Sequence, residues 1–320
     1  MPFDADVIIV GGGPAGLSAA LILGRACRSA IVFDTGRPRQ AASKSMHGFL
    51  SREGINPLDF LRIGREDLKA FDNVRVADAE VTAARRLADG FEVTVAGGRE
   101  YRSRKLLIAT GVTDNVPKVP GLEAMYGTSV FHCPFCDGWE FRGQPIAVYG
   151  RGKRGYGLAI ELLGWTHDLV LCTDGPAGLT GHQQAELARH GITVRGDRII
   201  RLEGTGGQLA RVVFDAGDTL VRRALFFTTG QHQTSALARS LGCEFNRKGT
   251  VRTGRYESTN IPGLFVAGDA SREVQWVIVA AAEGAAAAFA MTQDLLADER
   301  RVPQASLADP ATHTPRLANP

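Results

Sequence analysis

Short apolar runs bounded by glycine or an acid recur along this chain, and their length suits strands rather than helices. Asp6-Val7-Ile8-Ile9-Val10 is the first, and its unbroken apolar residues predict a strand buried on both faces. It leads straight into Gly11-Gly12-Gly13-Pro14-Ala15-Gly16, after which residues 17–24 carry a helical pattern. A second run, Ala30-Ile31-Val32-Phe33, ends in Asp34. Residues 36–64 show no period and read as a loop, with Arg37, Arg39, Lys44 and His47 among small residues. Strand-like alternation follows at Val74-Arg75-Val76, Phe91-Glu92-Val93-Thr94-Val95 and Tyr101-Arg102. Two of these predict a small antiparallel accessory sheet, with a turn at Ala96-Gly97-Gly98. Lys105-Leu106-Leu107-Ile108 then predicts another buried strand, closing in Ala109-Thr110-Gly111.

The same order repeats downstream. Val116-Pro117-Lys118-Val119-Pro120-Gly121 is the best boundary signal in the chain, by its paired prolines and glycine. Beyond it, a strand over 145–149 meets Gly150-Arg151-Gly152-Lys153-Arg154-Gly155 and a helix running through Leu163. Asp168-Leu169-Val170-Leu171-Cys172 is a second strand leading into Thr173-Asp174. Strands at 193–194, 211–214 and 224–227 complete the unit. The chain then returns to the first pattern with Gly263-Leu264-Phe265-Val266-Ala267-Gly268-Asp269-Ala270, a buried strand ending in Gly-Asp, and an alanine-rich helix over 277–296. The fold class is therefore α/β, with two Rossmann-like dinucleotide-binding domains, the second inserted into the first. The expected division is 1–117 and 244–300 for the first domain and 118–243 for the inserted one. Residues 301–320, proline-bearing and poor in apolar residues, are expected to form a flexible tail.

Each glycine run is a G-x-G-x-x-G in its required strand–turn–helix setting. The glycines let the backbone close on a pyrophosphate, and the helix N-terminus supplies amide donors and positive dipole. Asp34 stands where an acid accepts from a ribose 2′-hydroxyl. In the second unit a 2′-phosphate would want arginine after the second strand, yet no arginine follows until Arg189. Asp174 is read either as a ribose acceptor, which favours NADH over NADPH, or as an ordinary turn residue. Asp269 is suited to ribityl hydroxyls, and the helix start near Gln275 to the electron-rich edge of a reduced flavin. His47 reads as a polar loop residue, with approach to an isoalloxazine edge as the alternative.

Between the two glycine units lies His132-Cys133-Pro134-Phe135-Cys136-Asp137. Cysteines three apart on one tight turn can cycle between dithiol and disulfide. Pro134 narrows the geometry of the ring, and Asp137 sets a carboxyl where it can protonate a departing thiolate. A structural zinc site would need two further ligands, but Cys27, Cys172 and Cys243 are isolated and no metal is expected.

Composition adds exclusions. A net charge of +3, with no basic run carrying aromatics, gives no nucleic-acid footprint. The start, Met1-Pro2-Phe3-Asp4-Ala5-Asp6, is no signal peptide, and residues 277–290 are too short and too interrupted to span a bilayer. Five sparse cysteines do not form a secreted disulfide framework, and a cytoplasmic location is the default expectation.

Taken in order, Gly11–Gly16, Asp34, Ala109-Thr110-Gly111, Cys133-x-x-Cys136-Asp137-Gly138, the second glycine unit and Ala267-Gly268-Asp269 resemble the low-molecular-weight thioredoxin reductases. That family belongs to the FAD-dependent pyridine nucleotide-disulfide oxidoreductases, and the likeness covers nearly all of the chain except the tail. The resemblance implies FAD in the first domain, a nicotinamide in the inserted one, a homodimer, and a rotation that shows the flavin the dithiol and the nicotinamide in turn. It also implies that Cys136 faces the flavin, that Cys133 exchanges with substrate, that Asp137 is the general acid, and that Asp269 and Gln275 contact flavin. One departure stands out. The family's His-Arg-Arg run is replaced here by Cys172-Thr173-Asp174, a trait similar to the branch of dithiol oxidases that includes the gliotoxin and holomycin enzymes. Asp137, by contrast, is reductase-like.

Three functions follow. As a reductase, the chain would pass electrons from NADH or NADPH through FAD and Cys133–Cys136 to a thioredoxin-like protein or a small-molecule disulfide. As an oxidase it would run in reverse, closing a small-molecule dithiol with oxygen as acceptor. As a sensor or electron-transfer partner it would be fed by a protein donor such as ferredoxin.

Overall fold

The computed structural model describes residues 2–301, so the expected tail lies outside the described residues except for Arg301, which ends the last helix. The chain opens with strand β1 (Ala5–Val10), helix α1 (Pro14–Arg25) and strand β2 (Ala30–Asp34). Helix α2 (Pro57–Leu68) and strands β3 (Val74–Asp78), β4 (Val81–Arg86), β5 (Phe91–Val95) and β6 (Glu100–Ile108) follow. Strand β7 (Val112–Asp114) leaves this unit for β8 (Val130–Phe131), the short helix α3 (Pro134–Asp137), β9 (Ile146–Tyr149), α4 (Gly152–Glu161), β10 (Leu169–Cys172), α5 (Gly181–Arg189) and β11 (Thr193–Arg195). Then come β12 (Ile199–Thr205), β13 (Gln208–Phe214), β14 (Thr219–Val221), β15 (Ala224–Phe227), β16 (Gln231–Gln233), α6 (Leu237–Ser240), β17 (Leu264–Val266) and α7 (Val277–Arg301).

Two layered α/β units result. The first sheet runs β3-β2-β1-β6-β5-β4, with β17 also on β6. β1 lies between β2 and β6, parallel to both, which explains why Val7, Ile8 and Ile9 are wholly buried. Helices α1, α2 and α7 cover one face through Leu17, Leu23, Leu61, Met291 and Leu295. The second sheet, β11-β10-β9-β15-β8, is parallel throughout. Its strands and the antiparallel β12-β13-β14 sheet fall, in sequence, between β6 and β17. The outgoing β7 and the returning β16 pair antiparallel, with Asp114 opposite Gln231, so a two-stranded ribbon joins the two units.

Several elements differ from the expectation. Tyr101-Arg102 and Lys105–Ile108 are one strand, so the accessory sheet is no separate body. The first half of β6 pairs antiparallel with β5, and its second half pairs parallel with β17. Burial along β6 alternates first and then becomes continuous, which broke the apparent period in two. The expected loop over 36–64 contains the start of α2, whose signals are Asn56 capping the Leu58 N–H at 2.9 Å and Pro57 in the first turn. Strand β4, Val-Thr-Ala-Ala-Arg-Arg, has too little apolar content to be read alone, and it exists because β5 pairs with it. Helix α5 carries a capping box at Thr180 and Gln183 but only one buried residue, Leu187. Among the described residues no helix is long and apolar enough to cross a membrane.

The tightest helix contact is that of α1 with α7. A Cβ built on Gly284 would stand 1.9 Å from the Ala15 carbonyl oxygen. Alanine there would gain about 1 kcal/mol of helix propensity but overpack rigid backbone, at a cost of about 1–3 kcal/mol or more. We expect Gly284→Ala to lower stability by about 1–2 kcal/mol, read as a lower urea midpoint at unchanged slope. A midpoint at or above wild type would show that the two helices part freely.

Candidate active site

The dithiol turn is built by its own sequence. Cys133 is extended, Pro134 opens the single-turn helix α3, and the Asp137 and Gly138 amides bond back to Cys133 and Pro134 at 3.2 and 2.7 Å. Cys133 and Cys136 are joined in a disulfide, with Cα atoms 5.3 Å apart. Gly138 is required there, because a Cβ would stand 2.5 Å from the Pro134 carbonyl oxygen and 2.9 Å from the Trp165 indole nitrogen. Phe135 and Trp139 are 58% and 64% exposed beside the bridge, and such large exposed aromatics suit contact with a partner. Cys27, Cys172 and Cys243 are free, and among the described residues no cluster of three His, Cys, Asp or Glu side chains suits a metal.

Burial pushes the Asp137 carboxyl up to about 7, with Glu140 adding to the rise and His47 opposing it. A carboxyl that keeps its proton near neutrality suits a general acid beside a leaving thiolate. His47, from the first unit, pairs with Glu53 at 2.6 Å and lies 3.8 Å from Glu140 of the second. Its loop therefore reaches the dithiol side of the molecule.

The first glycine turn is a cradle. A Cβ on Gly11 would meet the Ala109 carbonyl oxygen at 2.4 Å, and one on Gly16 the Gly11 oxygen at 1.9 Å, whereas Gly13 faces open space. Pro14 opens α1, and Ala15 is the residue against which α7 packs. Asp34 sits over Gly12 and is ion-paired to Arg65 of α2, a residue that no local motif in the sequence marks. Gly111 follows Thr110 in a left-handed turn, and the Thr110 hydroxyl is buried with no partner in the protein. The Gln40 amide nitrogen is likewise buried and unpartnered. An open glycine turn with the unspent, buried Thr110 hydroxyl next to it fits a dinucleotide such as FAD. Gly268, with φ +79°, sets Asp269 at the same end of the sheet, and Gln275 follows before α7.

The second glycine turn repeats the close approach. Gly150 and Gly155 stand so near that a Cβ on Gly155 would lie 2.5 Å from the Gly150 carbonyl carbon. Gly152, with φ +54°, starts α4. Asp174, itself left-handed, has both oxygens engaged within the protein. One accepts the Ile199 N–H at 2.9 Å and the other the Tyr149 hydroxyl at 3.2 Å. Arg151 reaches back from the glycine turn, bonds the Thr173 carbonyl and lies 3.5 Å from Asp174. A cation therefore does cover the end of β10. The sequence hid it because Arg151 precedes the strand it serves.

The two units meet at the dithiol. Phe135 packs on Trp276, with centroids 5.7 Å apart, and on Trp165 edge-to-face at 5.3 Å. A cleft of about 380 Å³ is lined there by Cys133, Phe135, His132 and Phe227 of the inserted unit and by Gln275 and Trp276 of the first. Asp269, Gln275 and the dithiol are thus brought to one locus, with Arg39 among them.

Two dinucleotide cradles and a redox disulfide between them define a flavoprotein oxidoreductase of the thioredoxin reductase type. Residues 5–284 match the pyridine nucleotide-disulphide oxidoreductase family, and the chain belongs to that family. It is 32% identical to thioredoxin reductase aclD of Aspergillus oryzae, over 92% of this chain and 98% of that one. Thioredoxin reductase tcpT of Claviceps purpurea is 31% identical over 92% and 95%. A putative thioredoxin reductase TrxB from Bacillus anthracis superposes with a TM-score of 0.86 at 31% identity, covering 92% and 99%. HlmI does so at 0.89 and 32%, covering 92% and 94%. The family implies binding of FAD and a pyridine nucleotide.

Because the folded carboxyl titrates near 7 and an unfolded one near 4, the folded chain holds an extra proton between those values. Stability should fall as pH rises through that window and level off above it. Dithiol–disulfide exchange should fall above pH about 7 as the acid is lost. We expect Asp137→Asn to remove that alkaline limb and to slow exchange by about 10²-fold, measured as a pH profile of dithiol turnover. An unchanged limb would place the acid elsewhere.

Proposed function

We propose that this enzyme is an FAD-dependent thiol-disulfide oxidoreductase that passes electron pairs from NAD(P)H to the Cys133–Cys136 disulfide and on to a disulfide partner. The observation that carries this reading is the position of Cys133, the disulfide cysteine that lines the cleft between the two units with Gln275 and Trp276. Gly11, Gly13, Pro14, Ala15, Gly16, Asp34, Thr110, Gly111, Gly268, Asp269 and Gln275 would hold FAD in residues 1–117 and 244–300. Gly150, Gly152 and Gly155 would hold the nicotinamide dinucleotide in residues 118–243. FAD, when bound, supplies the exchange of a two-electron hydride for two electrons to sulfur. The chain's own residues do the rest. Two electrons and two protons open the bridge to two thiols, Asp137 delivering one of those protons to the sulfur that leaves. Cys133 hands its proton back to the Asp137 carboxylate to become a thiolate. The Cys133 thiolate then attacks the partner disulfide, expelling one partner thiol. Cys136 attacks the mixed disulfide, releases the second thiol and restores the bridge.

The cofactor preference turns on Asp174 and Arg151. With each Asp174 oxygen already accepting one bond within the protein and the Arg151 guanidinium over the strand end, a 2′-phosphate finds a cation there to pair with. This geometry favours NADPH, against the preference drawn from the sequence. The partner is a thioredoxin-like protein or a small-molecule disulfide, received against exposed Phe135 and Trp139. A homodimer is favoured by the exposed apolar stripe Ile278, Phe289 and Leu296 on α7.

Anaerobic mixing of the FAD-loaded enzyme with NADPH, NADH or a dithiol tests this reading through the flavin absorbance. NADPH should bleach it at least about tenfold faster than NADH, and Arg151→Ala should erase that ratio by removing about 1–2 kcal/mol of phosphate pairing. Bleaching by the dithiol but by neither nicotinamide would make the enzyme a dithiol oxidase or the client of a protein donor.

A further inference from the structure

Arg39 lies in a stretch that reads as loop, yet it is the most heavily engaged cation in the described structure. Its Nε donates to Asp114 Oδ2 at 2.8 Å, and one Nη2 hydrogen to Asp114 Oδ1 at 2.6 Å, a bidentate pair. Both Nη1 hydrogens are used, to Asp269 Oδ2 at 2.8 Å and Gln275 Oε1 at 2.7 Å. The other Nη2 hydrogen faces Gln231 Oε1 at 3.2 Å and His132 Nε2 at 3.3 Å. All five guanidinium hydrogens are therefore directed at acceptors. Burial works against the charge, but the Asp114 and Asp269 carboxylates overcome it and raise the guanidinium pKa.

The acceptors come from every part of the machinery. Asp114 and Gln231 face each other on the β7–β16 ribbon that joins the units. Asp269 and Gln275 are the two side chains assigned to the flavin. His132 immediately precedes Cys133. Since arginine only donates, His132 Nε2 must accept, which leaves its proton on Nδ1, 3.2 Å from the Tyr126 hydroxyl. Burial lowers the His132 pKa, consistent with that neutral form. One side chain thus ties the flavin locus, the inter-unit ribbon and the dithiol turn together.

We propose that Arg39 is a positioning residue that clasps the two units with the disulfide facing the flavin locus, and so sets the rate at which electrons cross between them. This rests on the thiol-disulfide reading above. Five planar donors are needed to reach five segments, so lysine, with three donors on a flexible stem, cannot replace it.

The test compares wild type, Arg39→Lys and Asp114→Asn as FAD-loaded proteins under anaerobic conditions. Asp114→Asn weakens the clasp from the ribbon and leaves the flavin and dithiol side chains untouched. Dithiothreitol should open Cys133–Cys136 in all three, and the two new thiols can be counted. We expect the following bleaching of flavin by that dithiol to slow about 10²-fold in both variants, since misplacement by about 1 Å costs that much. The melting temperature should fall, because a buried pair is broken. FAD content and direct bleaching by dithionite should stay at wild-type values in the folded variants, which a merely structural role would not produce alongside slow transfer from the dithiol. Solution X-ray scattering supplies a readout independent of turnover, and the radius of gyration should rise in both variants as the units part. Wild-type bleaching rates and scattering in both variants would overturn the proposal. If wild-type flavin ignores the dithiol altogether, the thiol-disulfide reading fails instead, and scattering alone decides the clasp.

Discussion

Strand β6 is the constraint on which the rest of the molecule depends. One edge of it is held by β1 from Ser103 to Ile108, while the other is divided, with β5 on the first half and β17 on the second. That vacant half-edge is what allows the chain to leave after Ile108, build a whole second unit, and still close the first sheet on its return at Leu264. The backbone groups left unpaired by the departure are satisfied by β17. Because β1, β6 and β17 are mutually parallel, their C-terminal ends deliver Gly11, Thr110 and Gly268 to one edge of the sheet. That edge is where ligands of open α/β sheets bind.

Charge is handled by pairing across long sequence distances. Glu283 of α7 is pushed up to about 7 by burial and by Glu257, yet it accepts the Gly268 N–H at 2.8 Å and an Arg272 hydrogen at 2.7 Å. Arg272 also bonds Glu257, which stands with Tyr256 in a left-handed backbone. The Gly-Asp turn is thus pinned from behind by a buried acid and from the front by Arg39 on Asp269. Breaking one partner of such a network leaves an uncompensated buried group, so the turn has one low-energy arrangement.

The dithiol is treated differently. Among the described residues Asp137 forms no ion pair, and burial is left to hold its proton on. The contrast with Arg39-bound Asp114, whose carboxyl is held below its usual range despite burial, shows two acids sorted into two roles by their surroundings.

The sequence by itself determined the two glycine turns, the redox pair between them, and the α/β class. Each of these is a local pattern: an apolar run, a helix period, glycines at fixed offsets, cysteines three apart. It also carried the return of the chain at Ala267-Gly268-Asp269, because that strand repeats the same local pattern. The tertiary structure alone decided what lay across the chain. Strand β4 has no period of its own and is specified by pairing with β5. β6 reads as two strands because one strand serves two environments. Arg39 and Arg151 look like loop and turn residues, and their roles come from acceptors supplied by segments far along the chain or from a strand that follows. Asp174 shows the same limit in reverse, since nothing near it in sequence reveals that Ile199 and Tyr149 already hold its oxygens. A hydrogen bond is specified by geometry at about 3 Å, and sequence spacing fixes that geometry only within a turn or a helix.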